Sequence, residues 1–360
     1  TKQVTLKFRN AGSYVWRGAG KSYVSAYATG PYKRKSVFWH SDWSSRYQAG
    51  RLNEATVKSG QTGSVTITLH APLQAGTYTE QFQLAVENVA WIYGSVARLK
   101  IEVVPEQVTA ETPVNAKAYA VMDAATGEML DAKNADDVRS IASITKLMTV
   151  MVAHDAGLDP DAIVALARAD EVGGGRLRVP VGTSISVRDL VASAIVGSAN
   201  NAANAIARAT GLPREEFVAR MDAKARALGM ASSSFADPTG IEVENLSTAK
   251  EVALMGKAAF QDSWIAEFAA APEYEVATAK GPHLIKNTNK LVSDAAVDVT
   301  AGKTGFINEA GYTLVTRLKR EGEREVIVVV LGADTKSQSF RDAKVLAQKA
   351  WARSKTADAR

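Results

Sequence analysis

The chain has 360 residues, 46% of them hydrophobic and 22% charged, with no cysteine. Disulfides, thiolate nucleophiles and cysteine-held metal are excluded, and no run of eighteen apolar residues is present to span a bilayer as a helix. The length suits two domains, and the net charge of +5 is unevenly spread: residues 1–110 hold 13 basic against 6 acidic side chains, while the remainder is slightly acidic.

The chain opens at Thr1 with Val4, Leu6 and Phe8 already alternating and no signal peptide in view, the pattern of a processed or trimmed N-terminus. Residues 1 to about 105 read as all-β. Val65, Ile67 and Leu69, then Phe82, Leu84 and Val86, then Leu99, Ile101 and Val103 alternate with polar residues, one buried face per strand. Turn residues such as Asn10-Ala11-Gly12, Pro72 and Gly76 separate the runs. Strands this short suggest a two-sheet sandwich. Without disulfides, large side chains must fill it, and Trp16, Trp39, Trp43 and Trp91 are the candidates, unless one or two of them stand exposed as a recognition surface. The densest basic cluster, Lys33-Arg34-Lys35, reads as a solvated loop or as attraction to an anionic surface such as a wall polymer. No nucleic-acid motif accompanies it. The four tryptophans, with Gly76-Thr77-Tyr78 before the last strands, resemble the four-tryptophan immunoglobulin-like domain over residues 1–104, an accessory module able to dock a wall polymer or a protein partner.

Residues 105–116 form a polar linker punctuated by Pro105 and Pro113. Beyond it the composition turns alanine-rich. A strand, turn and strand are expected around 119–130, and helices at about 143–155, 187–209, 213–229 and 248–269, the last opened by a Thr248/Glu251 capping box. A hairpin over 313–331, its second run apolar throughout, should hold a central strand covered on both faces. A closing helix over about 338–351 completes an α+β unit: an antiparallel sheet flanked by helices, with a helical subdomain.

Three strings carry chemistry. Ser143 and Lys146, at i and i+3 of a helix, share a face, and the apolar residues nearly all round that helix mark it as buried. Holding a lysine of pKa about 10.4 neutral at pH 7 costs roughly 4–5 kcal/mol unless the site lowers that pKa. Desolvation and a second cation, Lys303, both act that way, so a neutral Lys146 can take the Ser143 proton during attack on a carbonyl. Ser198-Ala199-Asn200 offers a hydroxyl to relay a proton and an amide to orient lysine and substrate. Lys303-Thr304-Gly305 belongs on a strand, its hydroxyl and ammonium suited to a carboxylate and its glycine to close approach of a ligand backbone. The Phe306 N–H, paired with that of Ser143, would make an oxyanion hole.

In this order the strings, with IASITKLMT (141–149), FADPTG (235–240), NLSTA (245–249), KNTN (286–289) and AGY (310–312), closely resemble the low-molecular-mass penicillin-binding proteins, the serine D-Ala-D-Ala peptidases, over about 116–353. The resemblance implies a β-lactamase/transpeptidase-like catalytic domain at 117–353 and a tail at 354–360. It makes Ser143, Lys146, Ser198 and Asn200 catalytic and Lys303, Thr304, Gly305 and Phe306 substrate-binding, with no metal and no cofactor. It further implies an acyl-enzyme on Ser143, peptidoglycan stem peptides as substrate, capture by β-lactam antibiotics, and an exported, periplasmic or wall-associated home. Strict carboxypeptidases of the family can carry arginine inside the Asn-x-Asn string. This chain has Thr288 there, as endopeptidase-type relatives do, and no amphipathic anchor follows Trp351.

Other readings fit less well. A Ser-His-Asp hydrolase would have only His154 and His283 in the second domain and no Gly-x-Ser-x-Gly elbow. The four scattered histidines lack metal-ligand spacing. A class A β-lactamase needs a glutamate for its deacylating water, for which Glu242 and Glu244 are in a suspicious region. A penicillin-sensing or wall-binding protein that keeps the pocket without turnover is the non-enzymatic alternative.

Overall fold

The computed structural model describes residues 2–30, 34–40, 42–72, 76–104, 108–109, 111–294 and 297–358, with side chains through 353. Lys33, Pro105 and Glu106 lie outside these. The chain divides into two compact units, Thr1–Glu106 and Gln107–Arg360.

In the first unit the period-two runs become strands. Strand β1 (Lys2–Arg9) pairs antiparallel with β4 (Thr62–Leu69), placing Leu6 opposite Val65. A second sheet has the order β3 (Gln48–Arg51), β2 (Val24–Thr29), β5 (Gly76–Val86) and β6 (Ala90–Val103). Leu6, Phe8, Val65, Ile67, Phe82 and Leu84 share one core. Trp16 and Trp43 are buried in it, and the Trp43 indole donates to Thr68 O at 2.6 Å. The other two tryptophans take the exposed alternative. Trp39 is 37% exposed and Trp91 45%. Phe38 takes the inward place beside Trp39, and Trp91 stands edge-on to Tyr27, with ring centres 5.4 Å apart. Arg34 is no free loop cation either: it pairs with Glu80, a buried carboxylate that also accepts from Ser36 Oγ at 2.9 Å.

The second unit is built on a five-stranded antiparallel sheet of order β8-β7-β11-β10-β9, from β7 (Ala118–Asp123), β8 (Met129–Lys133), β9 (Asp298–Ile307), β10 (Gly311–Lys319) and β11 (Val326–Ala333). All eight residues of β11 are buried, as its unbroken apolar run requires of a strand covered on both faces. β9, which carries Lys303-Thr304-Gly305, is an edge strand. Helix α1 (Thr145–Asp155) is buried over its first nine residues.

Two expected helices are broken. The 187–209 run is α2 (Val187–Ile195) and α3 (Asn200–Ala209), separated by a junction at which Ser198 is left-handed with φ 57°. Helix α4 (Arg214–Ala227) follows. The 248–269 run is α5 (Ala249–Ala259) and α6 (Ser263–Ala269), the second restarted by Asp262, whose carboxylate accepts from Trp264 N and Ile265 N. Half of the capping box forms. Thr248 Oγ1 accepts from Glu251 N at 3.1 Å, but the Glu251 carboxylate turns to Ser232 N and Ser233 Oγ. The closing helix, α7 (Lys336–Asp358), is longer than its apolar pattern indicated. No helix among the described residues is long and apolar enough to cross a membrane.

Candidate active site

Ser143 sits not on α1 but in the 3-10 turn Ala142–Ile144 that leads into it. Ala142 is left-handed with φ 49°, so the chain is sharply bent just before the serine. Gly240 holds that bend: a Cβ there would collide with Ala142 O, and its own φ of +78° suits glycine. Lys146, one turn on, is fully buried. Its Nζ lies 2.8 Å from Ser143 Oγ, 2.7 Å from Asn200 Oδ1 and 2.6 Å from Thr239 O.

Those distances constrain the proton. Asn200 Oδ1 and Thr239 O can only accept, so they take two N–H groups of Lys146. A neutral amine then has its lone pair left for the Ser143 hydroxyl. Burial supplies the neutral form, bringing the Lys146 pKa down from 10.5 to about 7, against the opposing pull of the Asp237 charge. The orientation of Asn200 is fixed on its other side, since its Nδ2 donates to Gly173 O at 2.8 Å.

Asp237 was not singled out by the sequence reading. It is fully buried and accepts from Thr239 N, Thr239 Oγ1, Gly240 N, Glu242 N and Asn245 Nδ2, all at 3.0 Å or less. Those donors hold its carboxyl below the usual range in spite of burial. One buried anion therefore fixes both the carbonyl that holds Lys146 and the glycine that shapes the Ser143 turn. The FADPTG and NLSTA strings supply its partners, which was the available signal.

Lys303 is 1% exposed and donates to Ser198 Oγ at 2.7 Å and to Thr304 O at 2.8 Å. This differs from the expected open contact with a carboxylate, because the ammonium lies beneath the cleft surface. Burial, Lys146 and Lys336 push its pKa well below the usual lysine value. Alternation along β9 turns Thr304 to the opposite side, where its hydroxyl donates to Thr288 Oγ1 at 2.7 Å. Asn287 Oδ1 and Asn289 Oδ1 on either side accept from backbone N–H groups of their own loop, leaving Thr288 as the reader of the string. Gly305 faces the serine turn; a Cβ there would lie 2.9 Å from Ser143 N. Phe306 is half exposed, its ring 4.4 Å from that of Tyr312.

All eight sequence-selected residues thus gather in one place. Ser143, Ser198, Asn200, Thr304, Gly305 and Phe306 line a cleft of about 290 Å³, with Thr288, Tyr312, Lys336 and Ser339 completing much of its wall. Lys146 and Lys303 are buried behind them. Gly174 and Gly175 also line the cleft and went unnoticed in the sequence. Glu242 and Glu244 are exposed and do not line it, which removes the glutamate a class A β-lactamase would need from this region.

Comparison with known proteins agrees with this geometry. The family described as D-alanyl-D-alanine carboxypeptidase (Peptidase_S11) matches residues 105–335. A D-alanyl-D-alanine endopeptidase of Pseudomonas aeruginosa is 38% identical over 227 residues, covering 62% of this chain and 73% of that protein. The Escherichia coli protein of the same description is 35% identical, covering 66% and 78%. Among solved structures, a mutant of the Streptomyces K15 DD-transpeptidase superposes with TM-score 0.62 at 27% identity, covering 67% of this chain and all of that one.

Proposed function

Because the chain belongs to the D-alanyl-D-alanine carboxypeptidase family of penicillin-binding serine peptidases, we propose that its cleft hydrolyses D-Ala-D-Ala-type bonds of peptidoglycan stem peptides through an ester on Ser143. Neutral Lys146 takes the hydroxyl proton as Ser143 Oγ bonds to the substrate carbonyl carbon. The carbonyl oxygen becomes an oxyanion held by the N–H groups of Ser143 and Phe306, each worth about 3–4 kcal/mol in the transition state. The proton passes to the departing amine by way of Ser198, the C–N bond breaks, and the acyl group stays on Ser143. Water then adds to the ester, giving its proton to Lys146, and Ser143 leaves with that proton restored. Lys303 holds the Ser198 hydroxyl in place; the neutral Lys146 amine is favoured by burial, and not by the second cation expected from the sequence. A β-lactam opens along the same path and leaves a covalent adduct.

The observation that carries this reading is the fully buried Lys146 amine between Ser143 Oγ and two acceptor-only oxygens. Thr288, hydrogen-bonded to Thr304 where a guanidinium would otherwise stand, favours cleavage of the cross-link to a diamino acid alongside trimming of a terminal D-Ala. Purified muropeptides read by mass spectrometry separate the two bonds. Ser143→Ala should abolish both cleavage and β-lactam labelling; labelling retained in that variant would identify a different nucleophile.

The first unit we read as an immunoglobulin-like accessory domain over 1–104, joined by the 105–116 linker to a catalytic domain at 117–353. Its excess basic charge suits an anionic wall polymer, and the protein's place is outside the cytoplasmic membrane, in the periplasm or wall. Activity on intact sacculi, compared between the full chain and a chain lacking residues 1–110, tests the targeting role. Equal activity would exclude it.

A further inference from the structure

Among the described residues lining the cleft, Lys336 is the one cationic side chain. It is the first residue of α7 and is half buried. Its ammonium has no carboxylate or carbonyl partner among the described residues; it lies over the Phe340 ring, 5.9 Å from the ring centre. Burial, then the neighbouring Lys290, lowers its pKa. A cation taken partly out of water without a partner is costly unless an anion joins it. The other cations nearby are committed: Lys303 to Ser198 and Thr304 O, and Lys290 to Asn287 O at 2.8 Å. Thr288 and Thr304, which line the same cleft, are neutral hydroxyls bonded to each other.

We propose that Lys336 determines substrate choice in this cleft by receiving the carboxylate that the substrate carries beside its leaving amine, with the Thr288–Thr304 hydroxyl pair as the neutral part of the same subsite. This rests on Ser143 being the acylated residue. The leaving residue's carboxyl carbon is two bonds from the departing nitrogen, so a group bound to Ser143 keeps that carboxylate within the same cleft. A terminal D-amino acid and a cross-linked diamino acid both meet the requirement; an amide or ester at that position does not.

The test is a ratio. The full-length protein and its Lys336→Met, Lys336→Gln and Lys336→Arg variants are assayed for kcat/KM on an acyl-D-Ala-D-Ala peptide and on the same peptide ending in a carboxamide. Losing a charge-assisted bond should lower the carboxylate substrate's kcat/KM by roughly 10–100-fold in the Met and Gln variants. The carboxamide should change less than about threefold, and the Arg variant should recover most of the preference. Equal losses on both substrates would assign Lys336 a structural role, and no loss on either would leave it a solvated bystander; both overturn the proposal. If the unaltered chain cleaves neither peptide, the peptidase reading fails by itself. Lys336 is then judged by the same ratio for Ser143 acylation by benzylpenicillin and its methyl ester, where an unchanged ratio rejects it.

Discussion

Gly305→Ala perturbs the site by a single methyl group. The new Cβ would lie 2.9 Å from Ile141 O and 2.9 Å from Ser143 N, and closer still to Thr313 Oγ1, which itself donates to Ile141 O at 3.1 Å. Gly305 is not among the residues of positive φ, so the cost is one of contact and not of backbone conformation. Relief requires β9 or the serine turn to move by about half an ångström or more, to reach ordinary van der Waals separation. Overpacking of this kind costs about 1–3 kcal/mol, equivalent to a fall of roughly 2–10 °C in Tm for a unit of this size. The larger effect falls on chemistry, because Ser143 N is one of the two donors proposed for the oxyanion, and a displaced donor costs about 10²–10³ in rate. Benzylpenicillin acylation, followed by mass or by a fluorescent analogue, reads that rate directly, with Tm measured on the same samples. A variant that acylates at the unaltered rate with unchanged Tm would refute the close approach of β9 to Ser143 and the oxyanion assignment with it.

Asp237→Asn removes the buried anion that favours the charged form of Lys146; the acid limb of the acylation rate should move to lower pH, and a move to higher pH would contradict the role given to Asp237. Folding stability should register Lys146 as well. Its folded pKa of about 7 lies below the 10.5 of the free side chain, so between those values the unfolded chain binds the extra proton and stability rises with pH, by on the order of 5 kcal/mol in total. Urea unfolding of the unaltered protein and Lys146→Met should therefore show a difference that changes in the unaltered protein's favour from pH 7 to pH 10; a constant difference would count against the depressed pKa. In the first unit, Trp43→Ala should cost about 3–5 kcal/mol, since that indole is buried against Phe82 and bonded to Thr68 O. Trp91→Ala, at a half-exposed position, should cost roughly 1 kcal/mol or less, and similar losses for both would reject the division of the tryptophans.

Much of the second unit was legible because chemistry and periodicity pointed the same way. The Ser143-to-Lys146 spacing, the unbroken apolar run of β11 and the strand position of Lys303 each required one arrangement. Helix breaks were harder to read. Ser198 interrupts an alanine-rich run by taking a left-handed conformation that non-glycine residues rarely adopt; Gly197 just before it was the available signal, but a single glycine inside a helical pattern does not by itself mark a break. Asp237 was hidden for another reason. A lone aspartate in a loop ordinarily faces water, and only the folded chain brings Thr239, Gly240, Glu242 and Asn245 round it. Lys336 escaped notice because nothing in its local sequence says that the start of α7 lines the same cleft as the serine. The tryptophans show the limit of composition as a guide: Trp39 and Trp91 are as large and apolar as Trp16 and Trp43, yet they stand at exposed positions.

The proton state of Lys146 is tested most directly by the pH dependence of Ser143 acylation by benzylpenicillin methyl ester, a reagent with no carboxylate to titrate. A buried amine of pKa about 7 predicts a rate constant half-maximal near pH 7, falling about tenfold for each unit below and level above. A rate constant flat from pH 5 to 9, or one still climbing with a midpoint near that of an ordinary lysine, would show that Lys146 is not the base.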